Sequence, residues 1–139
     1  MRKGILVGRH QLLKAQERAI EELGITLVDK IEQIDNNVAT QLEGIDVVVI
    51  QALPISILAQ ILPILQRKGI RVYMFEQDAI CRDLLTPEEA RKLINERPDC
   101  RTGLISINNG EERVRVVEFR RVVEITQIEV KKQTIWEVK

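Results

Sequence analysis

Asp46-Val47-Val48-Val49-Ile50-Gln51-Ala52-Leu53-Pro54 decides the reading of this chain. Four consecutive β-branched residues with no polar interruption are the signature of a strand buried on both faces, as in the middle of a parallel sheet. Pro54 then falls where the first turn of a helix tolerates proline, because that position has no amide donor to lose. The helix it opens is apolar almost all round: Ile55, Ile57, Leu58, Ile61, Leu62, Ile64 and Leu65. Such a helix is either a core element or a subunit interface. Pro63 is expected to kink it or end its regular part, and Lys68-Gly69 stops it.

The same strand–helix alternation extends to both sides. Ile5 to Val7 is a second short apolar run, followed at helical spacing by Leu12, Ala15, Ala19, Ile20 and Leu23, with Gly24 as a left-handed cap. A strand follows around Ile25 to Val28. Asp35-Asn36-Asn37 caps a short helix through Leu42, closed by Gly44. Beyond the central unit, Ile70 to Phe75 makes the next strand. In Leu85-Thr86-Pro87-Glu88-Glu89, Thr86 caps, Pro87 opens and Glu89 reaches back, so a helix runs from there to about Asn95. After Pro98 the pattern changes. Leu104 to Ile107, the turn Asn109-Gly110 and Val114 to Phe119 read as a hairpin, with Val122 to Val130 and Thr134 to Val138 as two further strands.

The expected fold is α/β: a Rossmann-like, mainly parallel sheet with helices on both faces and a C-terminal antiparallel β extension. It forms a single domain over 1–139, with a βα core over 1–98 and a β-rich extension over 99–139, because no linker, repeat or low-complexity tract divides the chain.

Composition excludes several classes. Lys+Arg and Asp+Glu both total 21, so net charge predicts no attraction to long nucleic acid or to acidic membranes, and any anion site must be local. Aromatic residues are 3% of the chain, too few for base stacking to be a general binding mode. Cys81 and Cys100 have no metal-ligand spacing and read as reduced thiols of a cytoplasmic protein. The most apolar stretch, Ala52 to Leu65, is too short to span a bilayer, and no signal peptide is visible. No membrane partner and no cofactor are expected.

Open α/β sheets bind ligands beyond the carboxyl ends of their strands. At that edge Gly8, Arg9, His10 and Gln11 end the first strand, Gln51 ends the central one, and Glu76, Gln77 and Asp78 end the fourth. Helix starts at Leu12 and Pro54 would turn positive dipole ends toward the same crevice. Arg9 suits a phosphate and His10, the chain's one histidine, suits proton transfer near neutral pH. The plainer readings are a capping or surface histidine, and an arginine that is a solvated cation or paired with Glu76 or Asp78. No G-x-G-x-x-G, P-loop or G-x-S-x-G pattern is present, which disfavours conventional dinucleotide or ATP binding and a serine hydrolase. Glu76 and Asp78 alone make a poor metal centre, so no metal is expected.

Three segments in order resemble the small CRISPR-associated ring nucleases and their CARF-like relatives: Gly8-Arg9-His10, Asp46 to Pro54 continuing to Leu58-Ala59, and Arg82-Asp83-Leu84-Leu85-Thr86-Pro87-Glu88-Glu89. They span about the first two-thirds of the chain, and each is short. The resemblance implies a homodimer that binds a cyclic oligoadenylate messenger of antiviral signalling across its two-fold axis. In metal-independent members a ribose 2′-hydroxyl attacks the adjacent phosphodiester and leaves a 2′,3′-cyclic phosphate. Arg9 would then face the developing charge and His10 would act as acid or base. Gly8, Gln11, Gln51, Glu76, Gln77 and Asp78 would hold the ligand, and the apolar helix Pro54–Leu65 would form the dimer interface. The expectation is a protein that binds such a ring, with or without cleaving it. The rivals are a non-catalytic sensor and a structural or partner-binding module.

Overall fold

Among the described residues, six strands and four helices alternate as β1 (Arg2–Val7), α1 (Lys14–Glu22), β2 (Ile25–Ile31), α2 (Asn36–Gln41), β3 (Val47–Ile50), α3 (Ile55–Arg67), β4 (Arg71–Ala79), α4 (Pro87–Glu96), β5 (Cys100–Asn108) and β6 (Glu111–Glu124). The computed structural model describes residues 1–81, 83–129 and 133–138, with the backbone alone of Leu104 and Asn108. The strands form one mixed sheet in the order β2-β1-β3-β4-β6-β5. β1 to β4 are parallel, while β6 runs antiparallel to both β4 and β5. The fold is α/β, and a single sheet carries both the parallel strands and the hairpin.

β3 is buried along its whole length, as four β-branched residues in a row require. Val48 and Ile50 face α2 and α3, packing with Ile5, Val7, Ala39, Leu58, Ile61 and Leu65. Val47 and Val49 face the α1 side, with Leu6, Ile20, Tyr73 and Phe75. Helices therefore cover both faces of the parallel strands. The apolar helix spends its side chains inside: Leu58, Ile61, Leu62 and Leu65 are buried, and Ile55 is its large apolar residue left exposed. The helix does not stop at Pro63 but continues to Arg67. One missing amide on an exposed turn is outweighed by four buried side chains, each worth about 1.5–3 kcal/mol.

The capping expectations hold in detail. Asp35 accepts from the Val38 amide at 2.8 Å, and Thr86 and Glu89 cap α4 reciprocally. Asn109 and Gly110 both take positive φ (54° and 78°), the conformation a two-residue hairpin turn demands.

Two strands outrun their apolar cores. β2 continues through Asp29 and Lys30 to Ile31, because an edge strand with one solvated side tolerates polar residues. β4 continues through Glu76-Gln77-Asp78 to Ala79, because β6 supplies ladder partners and cations: Arg121 meets Glu76 at 2.9 Å and Arg120 meets Asp78 at 3.3 Å.

The C-terminal expectation needs correction. Instead of four strands there are two among the described residues. β6 runs unbroken through Arg120-Arg121, where a bulge shifts the register from Gln77↔Phe119 to Glu76↔Arg121. Residues 125–129 leave the sheet: Ile125 and Ile128 pack on the α3 core, and the Thr126 carbonyl accepts from Gln66 at 2.7 Å. Val130, the expected end of a strand, lies outside the described residues. Thr134 to Val138 form no strand, and Ile135, Trp136 and Val138 are exposed.

Candidate functional site

The strand order reverses direction between β1 and β3, since β2 lies outside β1 and β4 outside β3. Chains leaving these two strands diverge to opposite faces and leave a crevice at their carboxyl ends. A cavity of about 390 Å³ occupies that position. Its lining is apolar from Ile34, Ala52, Leu53, Pro54 and Ile57, with Ile34 the most deeply buried, and polar from buried Gln51 and the exposed Arg9, His10, Glu32, Gln33 and Asp35.

The β1 end is held open by one glycine and one glutamine. Gly8 has φ +153°, and a Cβ there would lie 2.1 Å from the Gln51 Oε1. Gln51 is buried to 5% exposure and uses its whole amide on the neighbouring turn. The His10 amide donates to its Oε1 at 3.1 Å, and its Nε2 donates to the His10 carbonyl at 2.7 Å. Lys30, at the far end of β2, adds a second donor to that carbonyl at 3.0 Å. The Arg9-His10 turn is thereby fixed by its backbone, leaving both side chains exposed to the cavity mouth. The imidazole has no hydrogen-bond or ion-pair partner among the described residues.

Arg9 lies 3.9 Å from Glu32, with both side chains largely exposed. That pair replaces the expected partners Glu76 and Asp78. At this exposure such a contact is worth well under about 1 kcal/mol, so Arg9 remains free to exchange Glu32 for another anion. α3 brings its amino end to the cavity through Leu53, Pro54 and Ile57. No side chain caps it, and its intrahelical bonds begin with the Ile57 and Leu58 amides on the Pro54 carbonyl. The Ile55 and Ser56 amides therefore carry the partial positive charge of the helix end.

The residues expected to meet here divide into two groups. Gly8, Arg9, His10 and Gln51 line one cavity. Gln11 lies outside its lining, as does the start of α1 near Leu12. Glu76, Gln77 and Asp78 are in the middle of the β4–β6 ladder, with both carboxylates ion-paired to arginine. Of the third family-like segment, Thr86 and Glu89 serve as a helix cap, and Arg82 lies outside the described residues.

Sequence reasoning missed Lys30, Glu32, Gln33, Ile34 and Asp35. The signal was the Asp35 cap: it fixed the start of α2, so the residues just before it had to pass over the β1 tip. Among the described residues, no group of three or more His, Cys, Asp and Glu side chains is placed to hold a metal ion. No helix there is long and apolar enough to cross a membrane.

No protein-family model and no curated protein matches this sequence. Among solved structures, the crystal structure of the B. subtilis M1A22 tRNA methyltransferase TrmK aligns at 14% identity, covering 84% of this chain and 59% of the other. The chain thus spans under two-thirds of that enzyme's length. The TM-score is 0.24, so neither fold nor function is transferred from it.

Proposed function

We propose that the β1–β3 crevice of this Rossmann-like sheet binds a nucleotide phosphate, and that its ligand is a cyclic oligoadenylate. The observation that carries the reading is the meeting of Arg9, His10 and the uncapped amino end of α3 beside an apolar lining. A guanidinium, an imidazole and free helix amides suit a phosphodiester. The lining of Ile34, Leu53 and Ile57 suits the face of a base or ribose.

A cavity of 390 Å³ lies near the small end of ligand pockets, which run from about 300 to 1,000 Å³. It fits one nucleotide unit and not a whole ring. A ring of several nucleotides would be shared between copies, which makes the proposed assembly a cytoplasmic homodimer. Because α3 buries Leu58, Ile61, Leu62 and Leu65 in its own core, any contact through this helix would centre on Ile55 and its exposed first turn.

Cleavage is the second reading, favoured by Arg9 and His10 sharing one cavity with the imidazole unengaged. The ribose 2′-oxygen would attack the neighbouring phosphorus and the 5′-oxygen would leave. His10 would move the proton and Arg9 would face the charge that develops on the phosphate.

One experiment separates the readings. The purified protein is incubated in EDTA with radiolabelled cyclic tri-, tetra- and hexa-adenylate, alongside His10→Ala and Arg9→Ala. Cleavage lost in both variants makes the protein a metal-independent ring nuclease. Intact ring that co-elutes with the protein, and less so with Arg9→Ala, makes it a sensor. Neither cleavage nor binding overturns the proposal and leaves a partner-binding module.

A further inference from the structure

The β5–β6 hairpin has two faces with opposite charge economies. On the face shared with α4, three arginines are matched by carboxylates. Arg97 meets Glu118 at 3.3 Å, Arg120 at the bulge bridges Glu118 and Asp78, and Arg121 meets Glu76. The opposite face is set by register. Arg101 pairs with Val117 and Ser106 with Arg113, so strand alternation puts Arg101, Arg113, Arg115, Val117 and Phe119 on one side. Val114, Val116 and Cys100 on the other side pack against α4. On the arginine side, the apolar cluster around α1 reaches Phe119 and includes none of the residues beyond it.

Two of these three arginines have no counter-charge. Arg113 is held by Glu111 at 2.6 Å, and Glu111 is the one carboxylate on that face of the hairpin among the described residues. Arg101 and Arg115 make no side-chain hydrogen bond or ion pair there. Arg101 is partly buried, and its Nη1 is shut from solvent with no hydrogen-bond partner. Burial lowers its pKa from the ordinary arginine value, as expected for a cation that has lost water and gained no anion. Buried donors without partners are rare in folded proteins, and a charged one is the most costly kind.

We propose that this face binds the phosphate backbone of a single-stranded nucleic acid. The guanidinium groups supply forked donors that fit phosphate oxygens. Arg113 and Arg115, two residues apart on one strand, stand about 7 Å apart, a spacing suited to successive phosphates of an extended strand. Partly buried Phe119, on the same side, lies diagonal to Arg101 across the β5–β6 ladder and offers a ring edge there. The exposed Ile105 and Ile107, which a membrane surface would use, lie on the opposite face. The neutral balance of the whole chain conceals this patch because its compensating carboxylates lie elsewhere. Nothing in this face depends on the β1–β3 crevice.

The test is fluorescence anisotropy of a labelled 15-nucleotide oligouridylate against salt, with vesicles of phosphatidylserine in phosphatidylcholine as a parallel arm. Three phosphate contacts predict a log–log salt slope of about −2. Arg115→Glu and Arg101→Gln should each flatten that slope by about 0.7 and weaken binding several-fold at low salt. Arg121→Gln, on the matched face, should leave binding unchanged. If Arg101→Gln fails to fold, Arg115→Glu decides alone. No oligonucleotide binding at 50 mM salt, equal binding by Arg115→Glu, or binding to vesicles but not to the oligonucleotide overturns the proposal.

Discussion

The parallel strands β1 to β4 and the β5–β6 hairpin are built from similar residues under different constraints. Helices cover β3 on both sides, so every side chain of Val47 to Ile50 is buried and none carries a charge. The hairpin has α4 over one side and no helix core over the arginines of the other, and its strands alternate apolar and charged residues accordingly. The difference shows where each region can do chemistry. In the parallel half, side chains are used up by packing, and functional groups appear only at strand ends, as at Arg9, His10 and Gln51. In the hairpin, much of a strand face is available.

The sharpest way to break this comparison is to truncate an apolar side chain in each half. Leu65→Ala, at a fully buried site on α3, should cost roughly 2–5 kcal/mol in denaturant unfolding. Ile107→Ala, 77% exposed on β5, should stay within about 0.5 kcal/mol. Comparable losses would mean that the hairpin is packed in solution against something else.

At the strand ends the expected effects are smaller. Gln51→Ala removes the acceptor of the His10 amide and one of the two donors to its carbonyl, Lys30 keeping the other, at a cost of about 1–3 kcal/mol. Gly8→Ala forces a Cβ into Gln51 at a positive φ and should cost about as much. Both should also move the His10 imidazole resonances by NMR. An unshifted His10 in both variants would show that the turn holds itself without Gln51.

In the hairpin half, Thr86→Ala deletes the α4 cap at about 1 kcal/mol. It also carries a pH signature. Hydrogen bonds from Thr86 hold the Glu89 carboxyl below the usual carboxylate range. A depressed folded pKa stabilises the fold above the unfolded value, and this is lost as pH falls through the folded value. The melting temperature of Thr86→Ala should therefore fall less steeply with acid than that of the unmodified protein.

The smallest perturbation is chemical. Burial, with Glu118 beside it, pushes the Cys100 thiol up to about 11. Cys81 should thus react with a thiol reagent at pH 8 while Cys100 stays protected until denaturant is added. The raised value also means that any stability Cys100 contributes is present below its ordinary pKa. It is lost as pH climbs from about 9 toward 11. Equal reactivity of the two thiols would place α4 off the hairpin.

Much of the molecule was legible in the chain because its signals are local. The β-branched runs up to Phe75, the Asp35 and Thr86 caps and the Asn109-Gly110 turn are each settled by neighbouring atoms, and the structure places each of these where the sequence put it, whereas the strands expected over Val122 to Val130 and Thr134 to Val138 do not form as separate elements among the described residues. Gly8, Arg9 and His10 were legible for the same reason: a strand that ends at a glycine must release its next residues at the sheet edge. Partner choice was not local. Whether Glu76 and Asp78 line a crevice or sit within a ladder depends on Arg120 and Arg121, more than forty residues away. Which side of the hairpin keeps unmatched arginines depends on a register that no single segment encodes. Through the Asn109-Gly110 turn the sequence by itself determined the elements and their order, since these follow from steric and hydrogen-bonding rules within a few residues. Only the tertiary structure decided which charges meet, since that follows from strand pairing across the sheet.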